Sequence, residues 1–172
     1  SPIISEQTLQ LNFTNEGGVE GTTRFLKNIM GMWLIQEVQR IWESEGSKYS
    51  WPEMVELARK SEPFKFLINP DDPMFLNPRD MTQAVRDFCY QTAQGTPQNH
   101  GETIRCIYDS LALKYRFTLE QIIDITRQKV DVIHIIGGGA NNHFLNQLTA
   151  DATGRKLIAG PTEATAIGNI MV

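Results

Sequence analysis

Along most of this chain apolar residues recur three and four positions apart, the spacing of one helix face. Only near the end do they run together. The first periodic stretch, "GTTRFLKNIMGMWLIQEVQRIWESEG", predicts one long helix. Thr22 or Thr23 can cap its start and Gly46 can end it. Phe25, Leu26, Ile29, Met30, Trp33, Leu34, Val38, Ile41 and Trp42 take up most of its circumference, so this helix is expected to be buried. A second helix fits Trp51 to Ser61, with Pro52 in its first turn. Two more fit Arg79 to Ala93 and Gly101 to Lys129, separated by "QGTPQNHG". Between them, "FKFLINPDDPMFLNP" reads as a loop, because Pro70, Pro73 and Pro78 exclude a helix. Ser1 to Gly18 reads as an irregular or extended lead-in that ends in the turn "NEGG".

The pattern changes at "VDVIHIIG". This run is β-branched and nearly continuous, as expected of a strand covered on both faces. A helix from about Asn141 to Thr153 follows, then a short strand in "RKLIAGP" and the start of another helix in "TEATAIGNIMV". Strand, helix, strand, helix behind a large helical insert makes the expected class α/β and helix-rich. Both ends of the sequence read as cut, so a piece of a longer protein is expected.

Composition removes several functions. The net charge of -4 leaves no basic stripe for general nucleic-acid binding. No apolar run approaches the ~20 residues that span a bilayer, and no signal peptide is visible. Cys89 and Cys106 are too few for a disulfide scaffold, and His100, His134 and His143 lack metal-ligand spacing. A cytoplasmic protein with no metal site of its own is the expectation. Asp71, Asp72 and Asp80 are spaced irregularly by prolines, and a solvated loop is the expected reading for them.

The chemistry, if present, lies in Gly137, Gly138 and Gly139, between the first predicted strand and the following helix. Ligands of open α/β sheets bind at the carboxyl ends of strands, and a helix start offers unpaired amides. Glycine also removes side chains that would block a close approach. Neither a dinucleotide fingerprint nor a P-loop is present: Asn142 stands where a third spaced glycine would, and no Gly-Lys-Ser/Thr follows. On spacing alone, a nucleotide cradle competes with a tight turn or close strand–helix packing.

The stretch "GGGANNHFLNQLTADATGRKLIAGPTEATAIGN" resembles the C-terminal signature of the carbohydrate kinases that phosphorylate glycerol, xylulose and rhamnulose. The matching features are the glycine triplet, a polar residue at Asn142, Gln147, Ala150-Asp151, Gly154 and Glu163-Ala164. Many members carry Ser where this chain has Asn142. "NFTNEGGVEGTTRFLKNIMGMWLIQE", "FLINPDDPMFLNP" and "CIYDSLALKY" resemble the rhamnulose-phosphorylating branch, and the resemblance covers nearly the whole chain.

This resemblance implies a helix-rich fragment of an actin-like, ribonuclease-H-like ATPase domain. The chain, residues 1–172, would be most of the C-terminal, nucleotide-binding domain of a two-domain sugar kinase. The N-terminal domain and the catalytic aspartate would lie outside it. The implied substrates are ATP, with Mg²⁺, and L-rhamnulose, giving L-rhamnulose 1-phosphate; the fragment alone would be inactive. By the same resemblance Gly138 contacts the adenosine part of ATP, Gly137 and Gly139 give it conformational freedom, and Asn142 reaches the adenine edge. Asn142 equally suits a helix cap.

Asn28 matches a substrate-contacting position and Gln36 an ATP-contacting one. On one helix they would lie about 12 Å apart, roughly the reach from phosphates to base. Both equally suit core amides bonded to backbone. Arg24 and Lys27 are further candidates to face phosphate. Cys89 and Cys106 match a pair recorded as a disulfide in a related kinase; two nearby free thiols are expected in a reducing cytosol. Asp151 is expected to be structural and His143 to lie on the surface. Two other readings stay open: a kinase for another ketose or polyol (xylulose, fuculose or glycerol type), and a non-catalytic helical interaction module.

Overall fold

The computed structural model describes residues 1–163. Its helical body is α2 (Trp33–Ser44), α3 (Trp51–Lys60), α4 (Met81–Gln91) and α5 (His100–Thr126). A short α1 (Glu6–Gln10) and a hairpin of β1 (Thr14–Gly17) and β2 (Thr23–Leu26) precede it. The chain then forms β3 (Val132–Ile135), a 3-10 segment over Gly137–Asn141, α6 (His143–Thr153) and β4 (Lys156–Ala159). β3 and β4 are parallel, with Val132 opposite Lys156 and Ile135 opposite Ala159. This agrees with the expected helix-rich α/β class and with the strand–helix–strand unit. The helix expected in "TEATAIGNIMV", and the Glu163-Ala164 match with it, falls almost wholly outside the described residues. Among the described residues no helix is long and apolar enough to cross a membrane.

Local chemistry explains the helix ends. Ser50 and Glu53 form a reciprocal capping box at α3, with Pro52 in its first turn. Asp80 caps α4 by accepting from Gln83 N, Asn99 caps α5 by accepting from Glu102 N, and Asn142 caps α6 by accepting from Leu145 N. Gly154, at φ +63°, ends α6 in the left-handed conformation.

The long helix expected from Thr22 to Gly46 is corrected: α2 is only its second half. Residues 14–26 are an antiparallel hairpin, with Asn15 opposite Phe25 and Glu16 opposite Arg24. Gly21, at φ +71°, turns the chain, and the Phe13 and Phe25 rings stack at 4.8 Å. The glycine-rich turn and cross-strand stacking outweigh the helical spacing of Phe25, Leu26, Ile29 and Met30. The irregular lead-in is corrected with it, since α1 and β1 lie there.

The expectation for β3 is also corrected. Val132, Ile133 and Ile135 are only half-buried and Ile136 is 61% exposed. Among the described residues the sheet has two strands, and α6 is the helix that packs on it.

The core gathers around the first half of α5. Ile104, Ile107, Tyr108 and Leu111 are buried there against Leu34, Ile35, Val38 and Trp42 of α2 and Met54 of α3. At the α3–α5 crossing a Cβ on Gly101 would stand 2.9 Å from the Leu57 carbonyl oxygen and 2.5 Å from Ser61 Oγ. Glycine is there to let the helices touch. Nearby, the His100 ring stacks on the buried Trp42 indole at 4.0 Å, and its Nδ1 lies 3.1 Å from the Tyr49 hydroxyl.

Two expectations follow from this crossing. Gly101→Ala forces α3 and α5 apart and costs about 1–3 kcal/mol, read as a lower Tm. Burial lowers the His100 pKa below its ordinary value of 6.5, with Glu45 opposing. The unfolded chain therefore takes up the proton first as pH falls. This stability contribution is intact above about pH 6.5 and is lost as pH drops below it. Melting curves between about pH 7.5 and 5 should show that decline, with a shallower slope in His100→Gln.

Candidate functional site

A cleft of about 740 Å³ opens between three elements: the start of α2, one face of α3, and the glycine turn with the start of α6. Its size suits a small-molecule ligand, for which clefts of ~300–1,000 Å³ are usual. Met32 and Gln36 come from α2, and Trp51, Val55, Glu56 and Arg59 from α3. Gly138, Gly139, Asn141, Asn142, His143 and Phe144 form the third wall.

The turn is built from both strands. Gly137 N donates to the Pro161 carbonyl at 3.1 Å, and Gly160 N donates to the Ile135 carbonyl at 2.8 Å. These bonds extend the β3–β4 pairing just past the strand ends. Gly137 sits at φ +74°, where a side chain is strained. Gly138 has no such constraint, and among the described residues a Cβ placed on it would meet nothing within 4 Å. A Cβ on Gly139 would make only an ordinary contact, 3.7 Å from Ile135 Cγ2. The buried Asn146 amide donates to the Ala140 carbonyl at 3.0 Å and so pins the turn to α6.

Of the residues singled out by sequence, Gly138, Gly139, Gln36 and Asn142 are brought together on this cleft. Gly137 lies at the turn behind it. Asn28 is not among the lining residues: it sits exposed in the irregular segment 27–32. Gln36 is exposed too, so the two are not buried core amides, and no single helix spaces them. Asn142 proves to be a cap. Its Oδ1 accepts from Leu145 N at 3.0 Å, and its Nδ2 donates to the Tyr108 hydroxyl at 3.1 Å and faces Met32 Sδ at 3.5 Å. Burial raises the Tyr108 pKa, and the Asn142 bond opposes this only in part, so the phenol stays neutral and accepts. His143 is exposed at the rim, as expected.

Arg24 is committed to Glu16 across the hairpin. Lys27 donates to Gln121 Oε1 at 3.3 Å, and burial and the nearby Lys114 lower its pKa. Neither lines the cleft. Asp151 accepts from Gln147 one helical turn earlier, a structural role. Cys89 and Cys106 are free and buried, and the neighbouring Cys89 thiol together with burial holds Cys106 protonated well above the usual thiol range.

Two features escaped sequence reasoning. One is the α3 wall, whose signal was a large aromatic, Trp51, at the first exposed position of a capped helix. The other is Asp71. Instead of a solvated carboxylate, it accepts from Met30 N at 3.1 Å and pairs with Lys114 Nζ at 2.7 Å, tying its loop to segment 27–32. Asp72 caps a 3-10 turn over Pro73–Phe75, so the three aspartates hold three separate pieces of backbone. Among the described residues no group of three or more His, Cys, Asp or Glu converges.

Comparison with known proteins supplies the context for this cleft. The chain is 50% identical over 172 residues to a rhamnulokinase of Bacteroides thetaiotaomicron, covering all of this chain and 35% of that protein. It is 46% identical over 172 residues to a rhamnulokinase of Bacillus subtilis, again covering 100% of the chain and 35% of the relative. With a rhamnulokinase of Enterococcus faecalis the identity is 47% over 171 residues, 98% of the chain and 34% of the relative. The chain thus spans about a third of the length of the curated relatives it matches. A family model matches it from residue 1 to residue 172, and by that match the chain belongs to the FGGY family of carbohydrate kinases and corresponds to its C-terminal domain.

Proposed function

We propose that this chain is the nucleotide-holding part of an ATP-dependent kinase that phosphorylates L-rhamnulose to L-rhamnulose 1-phosphate. The observation that carries the reading is Gly138. Neither its backbone conformation nor any neighbour within 4 Å among the described residues requires a glycine there, yet it borders the cleft. Bare backbone at such a point suits a ligand that must come close. The family membership and the rhamnulokinase names of the relatives support the choice of ligand and of sugar. They favour rhamnulose over another ketose or polyol, and an enzyme over an interaction module.

ATP with Mg²⁺ supplies the phosphoryl group and offsets its charge; the residues here orient and enclose. Gly138 and Gly139 give the adenosine part a surface without side chains. Gln36 offers an exposed amide across the cleft, with both donor and acceptor. Asn142, fixed by Leu145 N and Tyr108, shapes the wall and keeps the start of α6 facing the ligand. Phosphoryl transfer asks mainly for positioning and charge stabilisation. The N-terminal domain of the same polypeptide would bring the catalytic aspartate and most of the sugar pocket, closing on the cleft to exclude water. Asn28, exposed in the segment that Asp71 anchors at Met30, would face that domain and the sugar. A cytoplasmic setting belongs to the same proposal, since the reaction draws on the cell's ATP.

Two outcomes test it. In the full-length protein, Gly138→Val should raise the KM for ATP by about tenfold or more, equal to ~1.4 kcal/mol of binding. The Tm should stay near that of the parent, because the new side chain points into open space. A large fall in Tm with unchanged KM would make the glycine structural and sink the reading. The 172-residue chain alone should transfer no phosphate to L-rhamnulose above background, and a measurable rate would refute the assignment of the base to another domain.

A further inference from the structure

We propose that the cleft-facing stripe of α3 is the second wall of the nucleotide site, and that the Trp51 indole stacks on the face of the nucleobase. This rests on the nucleotide reading of the cleft and names residues for it that the glycine turn alone does not.

Trp51, Val55 and Arg59 are spaced four apart, lie on one helix face, and all line the cleft. The stripe runs about 12 Å along the helix. Its backbone is fixed. The Ser50–Glu53 capping box and Pro52 lock the first turn, and Met54 and Ala58 bury the adjoining face in the core. Trp51 therefore projects from a rigid element while 38% of it stays exposed, in contrast to the fully buried Trp42. The other side of the cleft is the bare backbone at Gly138 and Gly139. A flat heterocycle entering between them meets an aromatic and aliphatic wall on one face and a surface without side chains on the other.

The edges of that heterocycle meet amides. Those of Gln36 and Asn141 have no hydrogen-bond partner among the described residues, whereas that of Asn142 is bonded at both ends. Edge contacts therefore fall to Gln36 and Asn141, and the plane to Trp51 and Val55.

The test is steady-state kinetics of the full-length protein with ATP varied at saturating L-rhamnulose. Trp51→Ala should raise the KM for ATP about tenfold, in line with the loss of one base–aromatic stack. The KM for the sugar and kcat should barely move. Trp51→Phe keeps a planar ring and should stay within about twofold of the parent. Trp51→Leu keeps bulk without the plane and should behave as Ala does. An unchanged KM for ATP in Trp51→Ala overturns the inference. So does a parallel rise in both KM values with a lowered Tm, because that is what a merely structural residue produces. A parent protein that neither binds ADP nor uses ATP would bring down the nucleotide reading itself. An active parent with an indifferent Trp51→Ala brings down only the stacking wall.

Discussion

The first half of α5 is the support on which the rest of the molecule is hung. From Gly101 to Ala112 nearly every residue is buried, polar ones included. Helix α3 crosses it at Gly101, where no side chain fits between the backbones. Helix α6 meets it through Tyr108, whose ring stands edge-on to Phe144 at 5.1 Å and whose hydroxyl accepts from Asn142. The two facing walls of the cleft thus share one backing. Close-packed interiors transmit displacement and do not absorb it. The spacing of the two walls accordingly rests on the side chains of α5, none of which is among the residues that line the cleft.

That support carries buried polar groups, and each has a use. Asp109 is fully buried; it pairs with Arg105 at 2.9 Å and accepts from Phe64 N at 2.7 Å. Desolvating a carboxylate is costly unless charge and hydrogen bonds replace the water, and here both do. Ser110 accepts from Ile68 N at 2.9 Å, and Gln94 bonds both the N–H and the carbonyl of Leu67. These bonds answer a need of the stretch from Phe64 to Pro78. Its prolines bar a helix, it pairs with no strand, and its backbone groups still require partners. Side chains from the helices supply them. Asp71 passes the constraint on by gripping Met30 in the segment that leads into α2 and Gln36.

How far the sequence was legible follows from the range of the forces involved. Helices α3 to α6 were readable because caps, prolines and a 3.6-residue period are local signals. The hairpin was not, because Phe25 and Leu26 fit a helix face and a strand face equally well. What decided between them was a stack with Phe13 twelve residues away and the turn at Gly21. The turn chemistry was visible in "NEGGVEGTT", but the following apolar period outweighed it. Misplacing that boundary put Asn28 and Gln36 on one buried helix, when both are exposed and only Gln36 reaches the cleft. The glycine wall was found through residue pattern and resemblance. The α3 wall was not, because meeting Gly138 across a gap is a tertiary fact that no spacing along α3 encodes.

The three adjacent glycines then answer to different constraints. Gly137 is fixed by its own dihedral angle, which a side chain would strain. Gly139 tolerates a Cβ at ordinary contact distance from Ile135. Gly138 is under neither kind of pressure from the described residues. A tight turn at the end of β3 needs only the first of these, and close strand–helix packing would have brought the third and second into contact with their neighbours. Among the described residues, turn and packing together therefore leave Gly138 and Gly139 without a strict requirement for glycine, and both border the cleft. On the nucleotide reading proposed above, a glycine that the described residues leave free would take its constraint from a ligand in the cleft.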